Sequence, residues 1–378
     1  MPPDKIKVYN DPRVSLHSAH LNGITYGYLY SPAYASSSTS PNSSPTTSNS
    51  SPSPFTSTKP KRGTIFLVHG FPDLSMGWRY QIPYLTSLGL DVIAIDCIGY
   101  GRTDSPLFHL QSYTYRRVAD DIAELARQLG LSSQGIILGG HDWGGAIVYR
   151  VAQYYPQLIR AVFSICTPYF PPSPTYEPLA LLVRKRLPNF GYQLHFASGE
   201  IEANVQSRAE IRQFLNNMYG ARTPEGTFAF HAEKGIDLAA QARVGKNKLL
   251  DDDEMDYYVA EYARHGLNGP LNWYRNREEN FVNEWRDLFH HGAKNPQDVL
   301  RDTTIQQEVL FVLATRDQAL KPFMADRMAD RIPNLTRREV NASHWALWER
   351  PDECNRLIGD WLNEKVFVKD RVASNTVS

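Results

Sequence analysis

Leu138-Gly139-Gly140-His141-Asp142-Trp143-Gly144-Gly145-Ala146 joins two runs of different character. Ile136-Ile137-Leu138 leads in as a short apolar strand, and Ala146-Ile147-Val148-Tyr149-Arg150-Val151-Ala152 leads out with helical patterning. The spacing predicts strand, tight turn, helix. Gly140, Gly144 and Gly145 flank Asp142 where such a turn needs residues without bulk, because it is strained and the next helix packs close. The centre of this kind of turn, a nucleophile elbow of pattern G-x-S-x-G, is ordinarily Ser; here it is Asp142. A carboxylate is ionised at neutral pH and attacks carbon without giving up a proton. The plain alternative is a Gly-rich turn whose Asp caps the following helix.

Residues elsewhere bear on that choice. His69-Gly70-Phe71-Pro72 ends the apolar run Thr64-Ile65-Phe66-Leu67-Val68, where a backbone N–H would complete an oxyanion hole. Asp317 follows the run Val309-Leu310-Phe311-Val312-Leu313-Ala314, and His344 follows Thr336-Arg337-Arg338-Glu339-Val340. Taken singly, the Asp reads as a turn residue and the His as a satisfied structural group. Together, the chain order nucleophile, acid, histidine is that of an α/β-hydrolase fold. Each member stands just past a strand's C-terminal end, the edge where open α/β sheets form sites.

Two alternating stretches, 14–17 and 24–30, flank Asn22-Gly23 and predict a hairpin over residues 1–30 that belongs to the core. Residues 31–58 contain 12 Ser, 5 Thr and 5 Pro, too little apolar surface to offset ordering entropy. A disordered insertion is therefore expected over 31–62, with an O-modified stalk or a phosphorylated docking segment as the functional alternative. Strands are expected at 64–68, 91–96, 135–140, 161–166, 309–314 and 336–340. A helix over 113–130 would bury Val118, Ile122, Leu125 and Leu129, and a last helix, about 352–365, would bury Cys354, Leu357, Ile358 and Trp361. Between 169 and 290 strand signals vanish and polar helical segments take over. The expected architecture is α/β: a mainly parallel sheet with helices on both faces, built from 63–168 and 291–366, with an inserted helical cap at 169–290 and a flexible tail at 367–378.

The chain's 378 residues are 42% hydrophobic, enough for a large core, and its 40 Lys plus Arg balance 40 Asp plus Glu, which suggests no nucleic-acid or anionic-membrane partner. Cys97, Cys166 and Cys354 are odd in number and far apart, the usage of reduced core thiols. Neither an apolar signal segment nor a run of transmembrane length is present, and the final Thr376-Val377-Ser378 is not a peroxisomal signal, so a cytoplasmic location is expected. The sequon Asn341-Ala342-Ser343 abuts His344, in keeping with a chain that never meets the glycosylation machinery.

At this level of detail the sequence resembles the soluble epoxide hydrolases of the α/β-hydrolase superfamily. The matching motifs are His69-Gly70-Phe71-Pro72-Asp73, Trp78-Arg79-Tyr80-Gln81-Ile82-Pro83, Asp96 with Gly99-Tyr100-Gly101, Gly140 through Gly145, Tyr192-Gln193-Leu194 and Asn272-Trp273-Tyr274-Arg275-Asn276. They run from about residue 63 to 365. The elbow and His-Gly-Phe-Pro are shared with neighbouring families; the two tyrosine motifs discriminate. The insertion at 31–58 departs from the pattern, and the phosphatase-like N-terminal domain of some animal members is expected to be absent.

The resemblance implies hydrolysis of an epoxide by water to a vicinal diol. Asp142 would form an ester with a ring carbon while Tyr192 and Tyr274 hold and protonate the opening oxygen. His344, oriented by Asp317, would activate water against the ester, with the backbone N–H groups of Phe71 and Trp143 holding the oxyanion and His69, Gly70 and Pro72 supporting the loop. No metal or organic cofactor is called for; His141 and the pair His290-His291 lack a ligand spacing. Asp142 excludes a serine esterase. The alternatives are a haloalkane or haloacid dehalogenase of the same fold, in which Trp143 would donate to halide, and a non-catalytic ligand-binding member. The residues fix no oligomeric state and no particular epoxide.

Overall fold

A computed structural model describes residues 3–33, 61–289 and 303–368. Most of the Ser/Thr/Pro-rich insertion, His290-His291 and nearly all of the expected tail lie outside the described residues. Eight strands form one sheet: β1 (Ser15–Leu21), β2 (Ile24–Ser31), β3 (Gly63–Val68), β4 (Leu90–Ile95), β5 (Ile136–His141), β6 (Ile159–Ile165), β9 (Glu308–Ala314) and β10 (Leu335–Val340), in the order β1-β2-β4-β3-β5-β6-β9-β10. All neighbours from β4 to β10 run parallel; β1 and β2 are antiparallel additions at one edge. Asn22 and Gly23 both take positive φ, 47° and 88°, the turn an Asn-Gly hairpin requires. Ser31 still pairs with Val92, so the strand extends one residue into the span expected to be disordered.

The central strands are apolar on both faces because helices cover both. Ile65, Phe66, Leu67 and Val68 are fully buried, each contributing roughly 1.5–3 kcal/mol before ordering entropy is subtracted. The covering helices include α1 (Gln81–Ser87), α2 (Tyr115–Gln128) and α3 (Trp143–Tyr154). Thr114 caps α2 by accepting from the Arg117 N–H, and Val118, Ile122 and Leu125 turn inward and are buried. Leu129 does not: it falls at the C-cap, where the helical stripe ends, and is 41% exposed. The closing helix Pro351–Trp361 buries Cys354, Leu357, Ile358 and Trp361, and Phe367 beyond it is buried under the Arg62 guanidinium rather than part of a loose tail.

Between β6 and β9 the chain is mostly helical. Arg208–Met218 and Asp252–Tyr262 each begin with a capping box, Ser207 with Glu210 and Asp251 with Glu254. The absence of strand signals misses one feature: β7 (Phe230–His231) and β8 (Gly235–Ile236), two antiparallel residue pairs too short to carry an alternating pattern. This block is tied to the sheet by buried polar contacts. Tyr219 donates to the Pro72 carbonyl at 2.6 Å, Tyr258 to the Asp73 carboxylate at 2.7 Å, Trp273 to the Ile98 carbonyl at 3.0 Å and Trp345 to the Met218 carbonyl at 2.9 Å. Two buried ion pairs, Arg79–Glu254 at 2.8 Å and Arg150–Glu284 at 2.6 Å, span the same boundary.

The approach of α3 to the sheet is limited by backbone, not side chains. A Cβ on Gly144 would overlap the Val68 carbonyl and stand 2.7 Å from the His69 carbonyl oxygen. Neither can yield without moving β3. Gly144→Ala should therefore lower stability toward or beyond the upper end of the ~1–3 kcal/mol usual for overpacking, read as a lower urea midpoint at unchanged slope. A midpoint equal to the parent's would mean that α3 sits further from the sheet than described.

Candidate active site

Because β3, β5, β6, β9 and β10 are parallel, their C-terminal ends share one edge of the sheet. Val68 pairs with Gly140, His141 with Ile165 and Ala314 with Val340. The residues just beyond are therefore neighbours: the loop 69–73, Asp142, Asp317 and His344. Asp142 adopts φ 54°, ψ −122°, a backbone conformation costly for a residue with a Cβ. It does not cap its own helix. Instead Oδ1 accepts from the Phe71 N–H at 2.7 Å, and the Thr167 hydroxyl donates to the Asp142 carbonyl at 2.7 Å. A Cβ on Gly70 would overlap the Asp142 carboxyl, so the loop and the turn touch only because that residue is glycine.

His344 stands between two carboxylates. Its Nδ1 lies 2.7 Å from Asp317 Oδ2 and its Nε2 3.5 Å from Asp142 Oδ2. Burial disfavours the imidazolium, but the charge and hydrogen bond of Asp317, and then the charge of Asp142, outweigh it and hold His344 up at about 9. Burial also works against ionised Asp317, which His344 and the N–H groups of Leu320 and Ala319 overcome, leaving its pKa below the usual range. Asp142 goes the other way: burial raises its pKa, opposed by His344 and by the N–H groups of Phe71 and Trp143.

Across a cavity of about 1090 Å³ from Asp142 stand Tyr192, on the helix Gly191–Ala197, and Tyr274, just past the helix Asn268–Asn272. Their ring centroids are 6.0 Å apart, and Tyr274 sits edge-on to Phe71 at 5.3 Å and to Trp143 at 5.2 Å. Burial pushes both pKa values up, helped by Asp142 at Tyr192 and by the Tyr192 phenol and then Asp142 at Tyr274, so both keep their protons. The Tyr192 oxygen accepts from Gln193 at 3.3 Å, and among the described residues neither phenol donates to a protein acceptor. Phe196, Phe230 and Trp345 complete an aromatic lining.

Other residues singled out by sequence are engaged by hydrogen bonds beside the turn. His69 is buried and held near pKa 4 by that burial; Nδ1 meets the Gly70 carbonyl at 2.8 Å, and Nε2 accepts from the Cys97 N–H at 3.0 Å. Pro72 offers its carbonyl to Tyr219. Sequence reasoning gave no role to three further groups. His141 places Nε2 2.8 Å from the His344 carbonyl, and the Cys166 thiol donates to the same oxygen at 3.3 Å, so His344 is gripped at its backbone too. Asp73, whose pKa burial raises to about 7 against the Tyr258 hydroxyl and the Leu74 N–H, lies directly under the site. Adjacency to recognised motifs could have marked His141 and Asp73, and nothing local marks Cys166.

His141, Cys166 and His344 bring potential metal-ligand atoms within 4.8 Å of one another. Hydrogen bonds already engage one nitrogen of each histidine and the Cys166 thiol, and burial pushes that thiol well up, away from the thiolate a metal would need. Among the described residues no helix is long and apolar enough to cross a membrane.

The sequence profile of the α/β hydrolase fold family matches residues 63–351. An epoxide hydrolase of Neurospora crassa is 37% identical over 370 residues, covering 96% of this chain and 99% of the relative. The bifunctional epoxide hydrolase 2 of Sus scrofa is 33% identical over 310 residues, 79% of this chain and 51% of that protein, so the chain matches about half of that longer relative. The crystal structure of epoxide hydrolase A from Mycobacterium thermoresistibile aligns with a TM-score of 0.70 at 25% identity, covering 93% of this chain and 98% of that one. The chain belongs to the α/β-hydrolase fold family and, within it, to the epoxide hydrolases.

Proposed function

We propose that this protein opens epoxides to vicinal diols through an ester of Asp142, with residues 169–290 acting as the cap that closes the site. The observation that carries the reading is the pair of neutral phenols, Tyr192 and Tyr274, facing a carboxylate across one apolar cavity with no protein acceptor for their protons among the described residues. An epoxide needs both partners at once: a nucleophile behind the ring carbon and a proton for the departing alkoxide. A dehalogenase has no use for two phenols there.

The first step uses Asp142 Oδ2, since Oδ1 already accepts from Phe71. Oδ2 bonds to a ring carbon, the carbon–oxygen bond breaks, and a tyrosine gives its proton to the oxygen. Oδ1 becomes the ester carbonyl oxygen, already placed against the backbone donors that stabilise the next intermediate. In the second step His344 Nε2 takes a proton from water and the hydroxide adds to the ester carbonyl. Collapse expels the diol oxygen, which takes the proton back from His344. The tyrosinate left by the first step regains its proton, through solvent, from the His344 imidazolium, and the proton left on the regenerated Asp142 acid passes to His344 and restores the resting pair. Net consumption is one water per epoxide.

The charge arrangement orders these steps. In the resting site His344 is an imidazolium, held so by Asp317 and Asp142. Esterification removes the Asp142 charge, and burial then favours neutral imidazole. The base is released when there is an ester to hydrolyse. The free, buried cysteines suit a cytoplasmic location.

The parent enzyme should convert epoxides to diols, detected by mass spectrometry, and Asp142→Ala should not. His344→Gln should stop after the first step, its intact mass increased by that of the epoxide. Diol from Asp142→Ala at the parent rate would point to direct attack by water. Tyr192→Phe and Tyr274→Phe should each slow ester formation measurably, and the double variant by roughly 10²–10⁴-fold; a double variant as fast as the parent removes the main support for this reading. The charge argument has its own check. His344, followed by NMR, should titrate near 9 in the parent and lower in Asp142→Ala. Its ionisation then stabilises the fold fully below the ordinary imidazole value of ~6.5, a contribution lost as pH rises through about 9 in the parent. An unmoved titration would mean that Asp317 alone sets the charge.

A further inference from the structure

Four described residues other than glycine take positive φ: Asn10, Asn22, Asp142 and Cys166. Asparagine tolerates that region, whereas a cysteine there is uncommon. Asp142 is the centre of the elbow. Cys166, at φ 68°, is fully buried just past the end of β6 and takes no part in the proposed steps. A strained backbone persists only where the surrounding contacts impose it.

Those contacts run to both halves of the site. The Cys166 N–H donates to the Val312 carbonyl on β9 at 3.0 Å, and its thiol donates to the His344 carbonyl at 3.3 Å. Thr167, the next residue, is 4% exposed, and its hydroxyl donates to the Asp142 carbonyl at 2.7 Å. That carbonyl receives its helical partner, the Ala146 N–H, only at 3.3 Å, so Thr167 makes the shorter of the two bonds. Thr167 is held in turn by Ser164, whose hydroxyl donates to the Thr167 carbonyl at 2.7 Å. Its approach depends on Gly145, where a Cβ would stand 2.7 Å from the Thr167 Cβ. One peptide joins Cys166 to Thr167, so their Cα atoms keep a separation of ~3.8 Å. Asp142 and His344 follow different strands, β5 and β10, yet both are tied by their backbones to this one corner.

Resting on the reading above, we propose that Cys166 and Thr167 are positioning residues that together set the spacing between the carboxylate that forms the ester and the imidazole that activates water. The gap from Oδ2 to Nε2 is 3.5 Å in the resting site, and one water must be able to reach both the ester carbonyl carbon and Nε2. Thr167 fixes the turn that carries the carboxylate. Cys166, with His141, fixes the backbone behind the imidazole. Reacting atoms need to stand about 3–3.5 Å apart, and a misplacement of about 1 Å can cost ~100-fold.

The test separates the two steps. Thr167→Val keeps the shape and loses the hydroxyl. Its ester formation, followed by intact mass in a single turnover, should slow about tenfold or more, with the half-saturating epoxide concentration unchanged. Thr167→Ser keeps the hydroxyl and should recover most of that rate. Cys166→Ala should form the ester at the parent rate and hydrolyse it several-fold more slowly, so that more ester stands at steady state. Ester formation at the parent rate in Thr167→Val, a Thr167→Ser no faster than Thr167→Val, or ester hydrolysis at the parent rate in Cys166→Ala overturns the proposal. So does equal slowing of both steps in every variant, which a merely stabilising corner would give. If Thr167→Val does not fold, Thr167→Ala against Thr167→Ser decides in the same way. If the parent opens no epoxide, the activity reading fails by itself, and NMR titration of His344 decides the corner. The Asp142 charge is one of those that raise the His344 pKa, so Thr167→Val, which holds it less closely, should titrate lower than the parent. An identical titration overturns the proposal.

Discussion

The hydrogen bond from the Phe71 N–H to Asp142 Oδ1, 2.7 Å long, is the contact on which the site depends. It joins the loop after β3 to the turn after β5, and it forms because those strands are neighbours with Val68 level with Gly140. The turn can reach it only in a conformation with φ 54°, held by glycines whose missing Cβ atoms let α3 lie against the carbonyls of Val68 and His69. Strain and close packing are thus two sides of one requirement: a carboxylate lifted clear of its helix, with one oxygen held and the other presented.

The loop that supplies this donor is also where the helical block is anchored. Tyr219 bonds the Pro72 carbonyl, Tyr258 the Asp73 carboxylate and Tyr262 the Asp73 carbonyl. The Asp142 carboxylate below and the phenols above are referenced to the same five residues. A buried carboxyl such as Asp73 is costly unless satisfied, and here Tyr258, Leu74 and the charge of Arg79 do so in part. Arg79 in turn pairs with Glu254 and lies over the Trp348 ring. The polar network under the site is therefore continuous with the one that fixes the block over the sheet.

Electrostatics follows from this packing. Asp142, Asp317 and His344 share a desolvated corner where two negative groups flank one positive one, so each group's ionisation depends on the others. Such coupling lets a covalent change at one member alter the basicity of another without any movement.

Local sequence was sufficient for much of this. Apolar runs, Asn22-Gly23 and the elbow glycines determined the strands, the hairpin and the turn, because they reflect constraints confined to a few bonds. The order of Asp142, Asp317 and His344 past successive strands was enough to bring these three together, since parallel strands must end on one edge. What the sequence could not decide was anything set by contacts between distant segments. Leu129 continues the helical stripe yet lies past the end of α2; Ser31 looks like the start of the low-complexity span but still pairs with Val92. Tyr192 and Tyr274 are two of 21 tyrosines, distinguished only by a family resemblance until folding brings their rings within 6.0 Å. His141 and Cys166 meet at the His344 carbonyl for the same reason. Hydrogen bonds and fields depend on distance in space, which the linear order of residues does not record.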